Sequence, residues 1–151
     1  MEIVQAGAKH LEALIPLLDG YRVFYGQVSD PGSAREFLGE RFRLGDSTIF
    51  LALDSGAAIG FTQLYPSFST VSLEPLLILN DLYVLPGHRR QGWGAALLKK
   101  AQEHCALTGC KGLALETGTA NPARHLYERL GWEQDTHCFH YFWTCRREDP
   151  H

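Results

Sequence analysis

Arg89-Arg90-Gln91-Gly92-Trp93-Gly94 brings together the residue types that hold a phosphate group. Two glycines two positions apart let backbone N–H groups approach a ligand closely. The amphipathic stretch that starts at Ala95 makes this turn the beginning of a helix. The first N–H groups of a helix have no partner within it, and its dipole adds partial positive charge at the same end. Two adjacent arginines supply full charge, so the run reads as a cradle for a pyrophosphate. Other phosphate cradles are a poor match. No Gly-Lys-Ser/Thr follows the turn, and Leu97 stands where a dinucleotide fingerprint would carry its third glycine. The bland alternative is a surface turn that caps a helix.

The elements that must position this run follow from periodicity. Glu2 to Gln5 reads as a first strand. His10 to Asp19 has Leu11, Leu14, Ile15 and Leu18 at helical spacing, and Gly20 is expected to end that helix. Asp30-Pro31-Gly32 turns the chain into a second helix around Ala34 to Leu44, with Phe37, Leu38 and Phe42 on one face. Thr48 to Leu53 and Ala57 to Tyr65 form a hairpin around Asp54-Ser55-Gly56. A long strand from Leu76 to Val84 leads into the cradle, and the cradle's helix runs from Gly92 to about Thr108. Gly112 to Thr117 is expected as a buried strand. Ala123, Leu126, Tyr127 and Leu130 line a short helix stopped by Gly131. His137 to Thr144 is expected as a last strand, which completes the order β-α-α-β-β-β-α-β-α-β.

Composition narrows the function classes. A chain of 151 residues with 45% hydrophobic residues can bury one sizeable core, and no repeat or low-complexity linker divides it, so residues 1–151 are expected to form a single domain. A formal charge of −3 leaves no overall basic field, which disfavours nucleic acid. No apolar run is long enough to span a membrane, and Met1 to Gln5 has no leader-like pattern; a cytoplasmic protein is expected. Cys105, Cys110, Cys138 and Cys145 match no metal or redox spacing and are expected as buried or half-buried free thiols. His137 and His140 beside Cys138 likewise lack a ligand pattern, and no metal is expected.

Arg89, Gly92 and Gly94 fill an R-x-x-G-x-G/A pattern placed after a strand. Asn121-Pro122-Ala123-Arg124-His125-Leu126-Tyr127-Glu128-Arg129-Leu130-Gly131-Trp132 supplies a second block of the form N…A…LYE-LGW. With these two ordered motifs the chain resembles the GNAT superfamily of N-acetyltransferases over most of its length, from Glu2 to Thr144. The resemblance implies an α/β (α+β) fold: a mixed, mostly antiparallel central sheet flanked by helices, with a splayed parallel strand pair forming the acetyl-CoA cleft. It also implies acetyl-CoA as cosubstrate. Leu82, Tyr83 and Val84 would pair with the pantetheine arm, Arg89, Arg90, Gln91, Gly92, Trp93, Gly94 and Ala95 would hold the pyrophosphate, and Asn121 and Tyr127 would complete the cofactor site.

The chemistry the resemblance implies is direct attack of a primary amine on the thioester carbonyl. An amine of lysine-like pKa is mostly protonated at neutral pH, so a group must take its proton. Asp81 is the candidate, acting directly or through water. It occupies the place where spermidine/spermine N-acetyltransferase and its relatives carry a Glu-Asp pair; here the pair is Asn80-Asp81. Tyr127 is the candidate acid that returns a proton to the coenzyme A thiolate, and a backbone N–H of Leu82 or Tyr83 would stabilise the oxyanion. Substrate contacts are expected from Tyr21, Tyr25 and Tyr65, with Asp81 and Glu116 as the carboxylates facing the cleft. The Y-R-x-F-Y and L-N-D-L-Y-V stretches resemble a subgroup of histone, D-amino-acid and diamine acetyltransferases. A small-molecule amine is therefore expected as partner, with a homodimer as the assembly. A histone-tail or other protein lysine as acceptor, a non-catalytic acyl-CoA-binding module, and an interaction protein joined through its aromatic C-terminal strand are the alternatives.

Overall fold

The computed structural model describes residues Met1–Cys145, in two compact units that divide after Glu116. The first carries a five-stranded sheet in the order β1-β2-β3-β4-β5. Its strands are β1 (Glu2–Gln5), β2 (Thr48–Asp54), β3 (Ala57–Ser69), β4 (Glu74–Val84) and β5 (Leu113–Ala114). All neighbours are antiparallel except β4 and β5, which run parallel. That parallel pair is joined by a helical crossover, as parallel neighbours require, through α3 (Trp93–Leu107).

The core explains why both faces of the sheet are covered. Side chains alternate across a strand, so Ile49 and Leu51 of β2 point one way and Phe50 the other. Ile49, Leu51, Phe61 and Tyr83 pack with Leu14, Leu17 and Leu18 of α1 (Leu11–Phe24) and Ala34 and Leu38 of α2 (Pro31–Leu44). Phe50 instead meets the His104 ring of α3, with centroids 5.3 Å apart. Leu97, Leu98 and Ala101 bury the inward face of α3 completely.

Local chemistry sets most boundaries. The Asp30 side chain caps α2 by accepting from the Ser33 N–H at 3.1 Å, and Pro31 occupies the first turn, where its missing donor costs nothing. The β2–β3 hairpin turns at Ser55 and Gly56, both with positive φ, which matches the twist of the flanking strands. Within β3–β4 the register shifts: Gln63 faces Asp81, but Leu64 faces Leu79, so Asn80 is an extra residue on β4. Such a bulge bends a strand and re-aims its side chains.

Five expectations are corrected. Gly20 does not end α1, which continues to Phe24. A Cβ at Gly20 would lie 2.8 Å from the Tyr83 hydroxyl, so this glycine answers a packing demand rather than a chain reversal. Phe37 lies on the exposed side of α2 under the Arg41 guanidinium, 4.7 Å from the ring centroid. The expected buried strand 112–117 contracts to Leu113–Ala114, neither residue fully buried. The expected last strand has no ladder partner among the described residues: positions 137–144 are irregular and exposed, Phe139, Tyr141, Phe142 and Trp143 included. Strand-like composition without a partner strand does not make a strand. Of the cysteines, Cys105 is buried and Cys110 half-buried as expected, whereas Cys138 and Cys145 are exposed.

In the second unit, α4 (Arg124–Arg129) is a short helix. Gly131, with φ +89°, follows its end.

Candidate active site

The cradle is built by the exit from β4. Pro86–His88 forms a single 3-10 turn, Arg89 is extended, Arg90 takes a left-handed φ of +63°, and Gly92 caps α3 with φ +90°. No side chain caps that helix, so its first N–H groups stay open to an anion. Trp93, only 6% exposed, anchors the first turn of α3 in the core. Gly92 could not be replaced without strain, because its φ excludes most L side chains and an added Cβ would sit 3.3 Å from the Met1 Cε. These features fit a pyrophosphate.

The two arginines divide their work. Arg89 Nε donates to the Val84 carbonyl at 2.9 Å, and its guanidinium lies 5.4 Å from the Phe24 ring centroid and 5.6 Å from that of Tyr83. Arg89 therefore ties the cradle to the end of β4 and to the last turn of α1. Arg90, like Arg89, is exposed.

β4 carries the rest of the first unit's contribution. Its pairing with β5 covers only Leu77 and Ile78. From Leu79 to Val84 it continues without a β5 partner, which leaves one backbone edge, including Leu82, Tyr83 and Val84, for an amide-bearing chain to join as an added strand.

Asp81 is 5% exposed and faces α1. Gln63 Nε2 donates to Asp81 Oδ2 at 2.7 Å and Asn80 Nδ2 donates to Oδ1 at 3.0 Å. The Thr62 hydroxyl fixes the Asp81 carbonyl at 2.8 Å. Burial pushes the Asp81 carboxyl above its ordinary value, against the opposing pull of donors from Gln63, Asn80 and Tyr21. The Tyr21 hydroxyl donates to the Asn80 carbonyl at 3.3 Å. Burial, then the Asp81 charge, drive the Tyr21 phenol far above its usual range. The Tyr65 phenol is pushed up to about 12, first by burial and then by Asp81.

Tyr21, which interacts with this carboxyl, sits in an aromatic cluster. Tyr21 meets Tyr25, Phe61 and Tyr83 edge-on, with centroids 5.0, 5.9 and 6.1 Å apart. Tyr25 is exposed and packs against Phe24 at 5.2 Å. An anion walled by aromatic faces is chemistry for an ammonium group. Of the expected substrate contacts, the structure brings Tyr21, Tyr65 and Asp81 together, places Tyr25 at the rim of the cluster, and leaves Glu116 exposed where the first unit ends.

The other two expected residues belong to the second unit. Tyr127 lies on α4, half-buried, with its ring centroid 5.9 Å from that of Trp132. Asn121 has local work: its Oδ1 accepts from the Ala123 N–H at 3.0 Å and shapes the entry to α4.

Two members of the site, Gln63 and Phe24, are not among the residues expected from the sequence. A polar residue on a strand of apolar neighbours, as in Gly60-Phe61-Thr62-Gln63-Leu64, is the signal that could have found Gln63.

The sequence matches the acetyltransferase (GNAT) family over residues 14–132. It is 45% identical to an uncharacterised N-acetyltransferase, YhfO, of Bacillus subtilis (strain 168), over 93% of this chain and 95% of that one. It is 33% identical to the aminoglycoside N(6')-acetyltransferase type 1 of Serratia marcescens, over 58% of this chain and 63% of that one. The crystal structure of a probable acetyltransferase superposes with a TM-score of 0.92 at 40% identity, covering 98% of this chain and all of that one. The chain belongs to the GNAT family of acetyltransferases.

Proposed function

We propose that this GNAT acetyltransferase moves the acetyl group of acetyl-CoA to a primary amine of a small molecule, a polyamine, diamine or amino acid, by direct attack of the amine. The observation that carries this reading is a buried carboxyl, Asp81, beside Tyr21 and Tyr65 and within the stretch of β4 that has no β5 partner. A relative named as an aminoglycoside N(6')-acetyltransferase supports a small-molecule acceptor.

Acetyl-CoA supplies the activated acetyl group. The backbone of Gly92 to Ala95 and the Arg90 side chain would hold its pyrophosphate, and the edge at Leu82, Tyr83 and Val84 its amide-bearing arm. Asp81 takes a proton from the acceptor ammonium, directly or through one water, so that the nitrogen lone pair is free. Tyr127 gives its phenolic proton to the departing sulfur. Tyr21, Tyr25 and Tyr65 receive the body of the amine.

Incubation with acetyl-CoA and a panel of polyamines, lysine analogues, D- and L-amino acids and a histone-tail peptide, following free thiol, tests this. Thiol release that depends on a small amine and is lost in Tyr127→Phe is the expected result. Release with the peptide alone would move the acceptor to protein lysine, and tight coenzyme A binding without release would favour a non-catalytic acyl-CoA-binding module.

A further inference from the structure

Gln63 is 1% exposed, and of its two amide atoms only one is satisfied. Nε2 donates to Asp81 Oδ2 at 2.7 Å, while Oε1 is buried with no hydrogen-bond partner. A buried polar atom left unpaired is costly. Substrate cannot relieve it, because Oε1 has no accessible surface. The donor it needs must come from its own neighbours: the Tyr65 phenol, which interacts with the Gln63 amide, or the carboxyl held against it, which gains a hydrogen each time it accepts a proton.

We propose that Gln63 is a positioning residue that holds the Asp81 carboxyl in one place in both of its protonation states. Against the carboxylate it presents the Nε2 hydrogens. When the acceptor ammonium loses a proton, one N–H bond breaks and one Asp81 O–H bond forms; the Gln63 amide turns over, and Oε1 accepts that O–H. The reverse turn accompanies loss of the proton to solvent.

Backbone register supports the pairing independently of side-chain placement, since Gln63 stands directly across from Asp81 at the last position before the bulge. The groups that act on this carboxyl from the elements packed around it are Tyr21 of α1, Tyr65 of β3 and Asn80 of β4. Arg41 and Asp46 reach it only by way of Tyr65. Of the two amides on this carboxyl, Asn80 is exposed and can exchange its partner for water, whereas Gln63 is sealed beside it.

The inference rests on Asp81 being the base, and its test is separable from that reading. In protein labelled with 13C at the aspartate carboxyls, the Asp81 signal is assigned by its loss in Asp81→Asn and titrated in the wild type, Gln63→Met and Gln63→Glu. A hydrogen bond to a charged group exceeds one to a neutral group by an amount equivalent to about one pH unit. Gln63→Met is therefore expected to raise the Asp81 midpoint by about one unit, with kcat lowered and the KM for acetyl-CoA unchanged. Gln63→Glu, which keeps the shape, is expected to split the Asp81 titration into two steps as two carboxyls share one proton. An unmoved midpoint in Gln63→Met, or a single wild-type step in Gln63→Glu should Gln63→Met not fold, overturns the inference. Failure of the base reading shows elsewhere, as an acidic limb of the kcat/KM profile that survives Asp81→Asn.

Discussion

At the scale of single residues the site is governed by two that break local rules. Gly92 holds a φ of +90° at the head of α3, where any larger residue would incur strain of about 1–3 kcal/mol and fill the cradle. Gly92→Leu is expected to weaken coenzyme A binding by about tenfold or more, as isothermal calorimetry would show; an unchanged Kd would remove the cradle from this turn. Asp81 is an ionisable group in a nearly water-free place. Its native value is raised, so its contribution to stability is full below the unfolded value and is lost as pH rises through the native one. Asp81→Asn should therefore melt at a higher temperature than the wild type at pH 8, with the gap closing towards pH 4. A constant gap across that range would place the effect elsewhere than in the charge. Stability withheld at neutral pH is what a poised base requires. Tyr127→Phe should lower kcat by about two to four orders of magnitude with little change in acetyl-CoA affinity; parallel loss of both would make Tyr127 a packing residue. Arg89 shows the limit of a charge-based reading. Its type suggests a phosphate ligand, and besides that expected role its Nε is held by the Val84 carbonyl and its guanidinium lies over two rings.

At the scale of elements, β4 is shaped by its neighbours. A Cβ at Gly60 would meet the Tyr83 carbonyl at 2.8 Å, which forces β3 away from β4. Gly60→Ala is expected to cost about 1–3 kcal/mol in urea unfolding and to lower turnover as well if the edge that includes Tyr83 takes the coenzyme as proposed; wild-type stability would mean the strands separate without penalty. The hairpin, α2 and α3 were legible because their signals are local: Asp30 and Pro31 at the head of α2, Ser55-Gly56 at the turn, Leu97, Leu98 and Ala101 along α3. The bulge at Asn80 was not legible, since it is a mismatch between two strands and neither sequence alone records it. The end of α1 was misjudged for a related reason. Gly20 has a helix breaker's identity, but its demand comes from Tyr83, 63 positions further along the chain.

At the scale of the molecule, ligand binding and stability are one linked quantity. Coenzyme A at a hundredfold its Kd should add about 2.7 kcal/mol and raise Tm by several degrees in a thermal-shift assay, and at the same concentration Gly92→Leu, its unliganded Tm already lowered by the backbone strain, should show about half that rise or less. A full wild-type shift in that variant would locate binding away from the cradle. The chain's own order of residues determined the family, the sequence of elements through α4 and the position of the cradle, because each depends on groups near one another along the chain: a strand, a glycine turn, a helix start. Tertiary structure alone decided that Gln63 meets Asp81 across a bulge, that Tyr21 and Tyr65 close around the same carboxyl, that Arg89 folds back on Phe24, and that the aromatic run at 139–143 lies exposed rather than paired. Those outcomes depend on which distant backbone comes within hydrogen-bonding distance and on which charges lose their water, and neither quantity is defined until the chain has folded.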